Sequence, residues 1–219
     1  NHYLQDSSRG FGNSKSLSSN ATGIQGYNGG APSSSGAQNV GSSSFQAYGN
    51  DWSKSTDDMI AWCWRAGGGT TSTNDSGSAD STVQTNTAAG FSICLTDNYT
   101  AANGVTIGHG LGVKPAFYLH KTTGDNSSGG ASQAFNWHVY HHSLGATKAL
   151  FIHLTNAAAT AIGYWNNTEP TTDVLSLGNL IAGNGQSLVY AWAEVEGYSK
   201  FGSYVGNANA DGPFIYTGF

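Results

Sequence analysis

Hydrophobic and polar positions alternate along this chain in short runs of period two, separated by Gly, Asn and Ser. The runs are Ser44–Tyr48, Met59–Arg65, Phe91–Thr96, Val105–His109, Ala116–Lys121, Trp137–His141, Ala149–Leu154, Val174–Leu177, Leu188–Val195, Phe201–Val205 and Phe214–Thr217. In an extended chain successive side chains point to opposite faces, so each run predicts a β-strand. Asn184-Gly185 and Asp211-Gly212 carry turn chemistry between runs. No long stretch shows a 3.6-residue period, and the Ala-rich Asn156–Ala161 is enough for one helical turn or a loop. The pattern predicts an all-β chain, a loop-rich antiparallel β-sandwich. The segments Gly67–Gly90 and Thr122–Ala134 contain almost no large apolar groups. Such segments bury too little to offset their ordering entropy, and both are expected to be exposed loops.

The sequence also repeats. Phe11-Gly12-Asn13-Ser14-Lys15-Ser16-Leu17 matches Leu144-Gly145-Ala146-Thr147-Lys148-Ala149-Leu150 without a gap, and Ser19-Asn20-Ala21 matches Thr155-Asn156-Ala157. Ala61-Trp62 then corresponds to Ala191-Trp192, and Phe91 to Phe201, in unbroken order. The expected organisation is a first repeat over 1-112, carrying the Gly/Ser/Thr loop 67-90, and a second over 113-219. The first repeat has no counterpart of the strand that opens the second. Thr217-Gly218-Phe219 stands where the first repeat reads Leu111-Gly112-Val113. The expectation is a chain that begins and ends mid-repeat, either a fragment of a longer array or a subunit whose sheets are completed by another copy, since unpaired edge strands invite pairing.

Composition narrows the function classes. Of 219 residues, 31 are Gly, 27 Ser, 20 Thr and 19 Asn, whereas charged residues make up only 10%, against about 25% in ordinary domains. Solubility therefore rests on small neutral polar groups. The net charge is −5 with no Lys/Arg cluster, which argues against nucleic acid and anionic membranes as partners. No apolar run approaches the ~20 residues of a membrane span. Cys63 and Cys94 lie in strand-like apolar runs and are expected to be buried small hydrophobes.

Several constellations invite a chemical reading. His138 and His142 would share a strand face, opposite His141, and with His120 or His153 from neighbouring strands they have donors suited to a transition metal. Hydrogen-bonded or solvent-facing histidines are the expected reading, and no metal or other cofactor is assigned. His142-Ser143-Leu144-Gly145 resembles part of a nucleophile elbow but lacks its first Gly, so Gly145 is read as a turn residue and Ser143 as non-catalytic. Glu194 and Glu196 alternate on an expected strand at a spacing compatible with a glycosidase pair. The repeat carries Trp64 and Ala66 there, which favours a solvated face. Trp62 and Trp192 are expected in the core. Trp165, followed by Asn166 and Asn167, is the candidate platform for a sugar ring. No catalytic residue is assigned.

Finally, Ala61-Trp62-Cys63-Trp64-Arg65-Ala66-Gly67, Gly108-His109-Gly110-Leu111-Gly112-Val113-Lys114-Pro115, Tyr164-Trp165-Asn166-Asn167-Thr168, Val195-Glu196-Gly197-Tyr198-Ser199-Lys200-Phe201-Gly202-Ser203-Tyr204 and Asp211-Gly212-Pro213-Phe214-Ile215-Tyr216-Thr217-Gly218-Phe219 form a set of long motifs. This set resembles a repeated domain of unknown function in virion structural proteins of marine bacteriophages, cyanophages and pelagiphages above all, often beside a concanavalin-like lectin domain. The resemblance implies a non-enzymatic virion component, part of a tail fibre, spike or surface fibre, located on the particle and hence extracellular. Its implied partners are further copies of itself, with a trimer as the expected oligomer, other virion proteins and a cell-surface glycan. A carbohydrate-binding adhesion module is the alternative expectation.

Overall fold

A computed structural model describes residues 2–28, 31–32, 35–49, 58–97, 104–124, 135–181 and 186–218. Its strands are β1 (Tyr3–Leu4), β2 (Leu17–Ser18), β3 (Tyr27–Asn28), β4 (Ala31–Pro32), β5 (Gly36–Gln38), β6 (Gln46–Tyr48), β7 (Ser72–Asn74), β8 (Ser81–Asn86), β9 (Phe91–Thr96), β10 (Val105–Gly108), β11 (Phe117–Thr122), β12 (His138–His141), β13 (Lys148–Phe151), β14 (Ala159–Thr160), β15 (Val174–Leu177) and β16 (Ser187–Trp192). A single 3₁₀ turn, Asn13–Lys15, is the helical content among the described residues. The fold is all-β, and every pair of named strands is antiparallel.

Eight strands form one sheet in the order β14-β13-β12-β11-β16-β9-β8-β7. Both faces of its centre are covered, which is why β9 is buried at every residue rather than at alternate ones. On one face, Phe91, Ile93, Leu95, Leu119, Val139, Leu188 and Tyr190 pack under Leu17 of the N-terminal segment. On the other, Val83, Cys94, Tyr118, Tyr140, Val189 and Ala191 meet Trp165 and the two-stranded β10–β15 sheet through Ile107, Leu175 and Leu177. Strands from either side of residue 112 share the main sheet, and β10 pairs with β15 across the same boundary.

The aligned repeat motifs take up similar local structure. Hairpin β1–β2 places Leu4 opposite Leu17, and β12–β13 places Val139 opposite Leu150. In each, a glycine at positive φ, Gly12 or Gly145, has its carbonyl accept from the Lys N–H three residues on, at 3.1 Å for Lys15 and 3.3 Å for Lys148.

Polar contacts fasten the N-terminal layer. The Arg9 Nε lies 2.6 Å from Asp6 Oδ2, both side chains being buried. Tyr190 of β16 donates to the same oxygen at 2.6 Å and accepts from Arg9 Nη2 at 3.2 Å. Arg9 Nη1 also donates to Lys15 O and Gln25 Oε1, both at 2.8 Å. A buried ion pair is tolerable when its remaining donors are satisfied in this way. Lys121, wholly buried, donates to Thr22 O at 2.9 Å and Phe135 O at 2.6 Å, with its Nζ 5.8 Å from the Trp137 ring centre.

Several expectations are corrected. The segment 67–90 is not a loop throughout but holds β7 and β8, with Ser81, Val83 and Gln84 buried. Two of its buried polar side chains find partners for their oxygens: Ser81 Oγ donates to Gly108 O at 2.7 Å, and Gln84 Oε1 accepts from Ser7 Oγ at 2.9 Å. Thr122 and Thr123 are buried, while 125–134 lie outside the described residues. Conversely, 59–65, 201–205 and 214–217 lie outside the strands of any sheet among the described residues. Trp62 and Cys63 are consequently exposed, the tryptophan to 79%, whereas Cys94 is buried.

Candidate functional site

The site begins with strand register. Phe117, Trp192 and Phe91 stand in one cross-strand row over β11, β16 and β9, at ring-centre distances of 5.6 Å and 5.0 Å. Residues directly opposite in antiparallel strands share a face, so three aromatic residues in register form a ridge. Two further rings extend it. Trp64 meets Trp192 edge-on at 5.8 Å, and Phe201 stacks on Phe117 at 5.4 Å with planes 6° apart.

These two outer rings are where the unpaired segments touch the sheet. Away from the ridge, 58–65 and 202–218 lie outside the named strands, the latter bending at 208–211, and expose Ile60, Trp62, Tyr204, Val205, Phe214 and Tyr216, with Phe214 at 91%. Phe201 is held on its backbone by side chains: its N–H donates to Glu194 Oε1 at 3.0 Å, and its carbonyl accepts from His142 Nε2 at 2.9 Å. Among the described residues, the backbone groups of Met59, Ile60, Ala61, Trp62, Gly202 and Tyr204 take part in no hydrogen bond. Beside the clamp lies an open cavity of about 290 Å³, lined in part by Lys114, Pro115, His142, Ala193 and Glu194. The arrangement offers apolar rings next to free backbone donors and acceptors, groups of the kind that strand addition uses.

A family model for a domain of unknown function, DUF7483, matches residues 1–219. The chain belongs to the DUF7483 family. No curated protein and no solved structure matches it.

In this DUF7483 chain the residues singled out from sequence are dispersed. Trp165 has 0% exposure; its ring lies edge-on to Tyr118 at 4.9 Å and its Nε1 donates to Lys148 O at 2.8 Å. A ring that stacks on a sugar needs an open face, and Trp165 presents none. It packs where the sequence expectation placed a ligand because the next two residues, Asn166 and Asn167, both adopt positive φ and turn the chain just beyond it. Those asparagines are exposed.

His120 and His138 are buried cross-strand partners with ring centres 5.8 Å apart, His138 packing against Phe151 and Tyr164. Burial, helped by nearby Lys121, pushes His138 down to about 3, and burial together with His138 and Lys121 holds His120 well below its usual range. Among the described residues no three His, Cys, Asp or Glu side chains come together as a metal site. The Ser143 Oγ lies 3.4 Å from His142 Nε2, but that nitrogen donates its proton to the Phe201 carbonyl and so has no lone pair to activate a hydroxyl. Glu194 and Glu196 fall after β16, Glu194 just before and Glu196 within the turn closed by the Val195–Ser199 bridge, so the strand expected to align them is absent there.

Sequence reasoning passed over Glu169. It accepts from Tyr140 Oη, from Ala146 N at 2.7 Å and from Lys114 Nζ at 3.1 Å. Partial burial alone would raise this carboxyl, but these three bonds outweigh it and hold it low. The brace joins the turn at Gly145 to the loop before β15. An isolated Glu in a polar loop gives no sequence signal for that.

Proposed function

We propose that this chain is a non-enzymatic structural component of a phage virion, in a tail fibre, spike or surface fibre, acting by assembly with further copies and by contact with the host surface. The observation that carries the reading is the pair of strand-patterned segments, 58–65 and 201–205, that belong to no sheet among the described residues and carry exposed aromatic rings beside the ridge of Phe117, Trp192 and Phe91. Exposed apolar patches of that kind mark interaction surfaces, and free backbone groups beside them select another strand as the occupant. The low charge fits the same role, since copies at −5 in a largely neutral polar surface repel one another weakly. The virion setting rests on the motif resemblance, and a trimer is the symmetry fibres commonly use.

The test is the mass of the full chain in solution by light scattering after size exclusion, from 1 to 100 µM. Concentration-dependent oligomers are expected, and a chain that stays monomeric throughout refutes the proposal. A carbohydrate-binding module is the second reading, favoured by the open rings of Trp62, Tyr204 and Tyr216. It predicts glycan-array binding that disappears on Trp62→Ala in a chain that does not self-associate.

A further inference from the structure

We infer that residues 58–62 of one copy pair antiparallel with residues 201–205 of a second copy, Trp62 opposite Phe201, reproducing between chains the β16–β9 pairing present within each. The inference rests on the assembly reading and gives it a partner and a register that can be tested residue by residue.

Ala61-Trp62 corresponds in the repeat to Ala191-Trp192, and Phe201 to Phe91. In the structure Trp192 and Phe91 are direct cross-strand partners, followed by Ala191 with Ser92, Tyr190 with Ile93 and Val189 with Cys94. Carried across, Trp62 faces Phe201, Ala61 faces Gly202, Ile60 faces Ser203 and Met59 faces Tyr204. The pairing template is therefore already realised in the chain, and both members of its second version lie unpaired.

Ala193 N donates to Gly90 O at 2.8 Å, which fixes the ladder: the hydrogen-bonded pairs of β16 and β9 are Ala193 with Gly90, Ala191 with Ser92 and Val189 with Cys94, while Trp192 with Phe91 is a non-hydrogen-bonded pair. In the second version the hydrogen-bonded positions become Ala61 with Gly202 and Met59 with Tyr204. Those four residues have free backbone groups, whereas the backbone of Phe201, whose groups point away from the partner in this phase, is occupied by Glu194 and His142. The clamp on Phe201 thus presents the edge of Gly202 and Tyr204 outward. The contact joins different surfaces of the two copies, so it closes into a ring, a trimer included, or continues as a filament.

Chains with one exposed cysteine test it. One carries Ala61→Cys and Cys63→Ser, the other Gly202→Cys and Cys63→Ser; Cys94 is buried and stays. Opposed residues in an antiparallel pair have Cα atoms ~5.5 Å apart, within disulfide range. Mild oxidation of the mixture is expected to give a mixed disulfide of two chains at several times the yield obtained when Ser203→Cys, on the opposite strand face, replaces Gly202→Cys. Trp62→Asp, at an exposed position that leaves folding intact by circular dichroism, is expected to weaken association about tenfold or more, as loss of an interface aromatic does. Oligomers that form without the mixed disulfide, or with equal yield from Ser203→Cys, overturn this pairing and leave the assembly reading standing. Absence of any oligomer removes both.

Discussion

Replacing Lys121 by Met should change how stability depends on pH, and in a direction fixed by burial. Lys121 sits wholly inside the sheet–N-terminal interface, with carbonyl acceptors and a tryptophan ring around it but no carboxylate within ion-pair distance among the described residues. Desolvation pushes its ammonium down from 10.5 to about 7. Between those values the unfolded chain binds a proton that the folded chain does not, so stability is complete above 10.5 and is lost as pH falls toward 7. At ~1.36 kcal/mol per pH unit the whole interval amounts to about 5 kcal/mol, of which about 3 kcal/mol lies between pH 7 and 9.5. Higher pH is avoided because burial raises Tyr118, Tyr140 and Tyr190, whose ionisation in the unfolded chain works the other way. Cys94, pushed up to about 12, acts likewise from lower pH but equally in both proteins. Urea unfolding of the natural chain and of Lys121→Met at half-unit steps from pH 7 to 9.5 isolates the lysine: the natural chain should gain stability relative to the variant by about 3 kcal/mol. Parallel profiles would show that Lys121 keeps its proton in the fold, sustained by the two carbonyls, and would refute the desolvation argument.

Three other outcomes follow from the same packing. Arg9→Met leaves Asp6 buried without its cation and should cost about 3–5 kcal/mol in urea unfolding, whereas Tyr190→Phe, which keeps the ion pair, should cost only about 1–3 kcal/mol; equal costs would refute the ion-pair assignment. His120 and His138 are buried as neutral rings, so the unfolded chain takes up protons first as pH drops below 6.5, and acid unfolding should begin there; His138→Phe should flatten the loss by roughly 1 kcal/mol per pH unit down to about pH 4, and an unchanged acid limb would contradict it. Gly178→Ala would put a Cβ 2.0 Å from the Gly163 carbonyl oxygen, backbone against backbone, and should lower the melting temperature by more than about 5 °C; an unaltered melting temperature would mean that the Gly163 turn gives way.

Period-two alternation was enough to locate the central strands: Phe91–Thr96 and Val174–Leu177 have the same bounds in sequence and structure, and β10, β11, β12, β13 and β16 differ by only a few residues. It erred in both directions where the strand depends on a partner. Ser81–Asn86 is polar by composition yet buried, because Gly108 and Ser7 supply hydrogen-bond partners that come from distant sequence. Met59–Arg65 and Phe201–Val205 are strand-like by composition yet unpaired, because no edge of the main sheet reaches them. The same limit applies to the site: Trp165 looks like a ligand platform until the fold closes Tyr118 and Tyr140 over it, and the ridge of Phe117, Trp192 and Phe91 exists only through register.

The sequence by itself determined the all-β class, the places of the glycine turns and the recurrence of the Trp and Lys motifs, because these depend on side-chain period and on backbone conformations open to each residue. Tertiary structure alone decided which strand lies beside which, which polar groups are satisfied in the interior and which aromatic rings face water, because hydrogen-bond pairing and burial are properties of neighbours far apart in the chain.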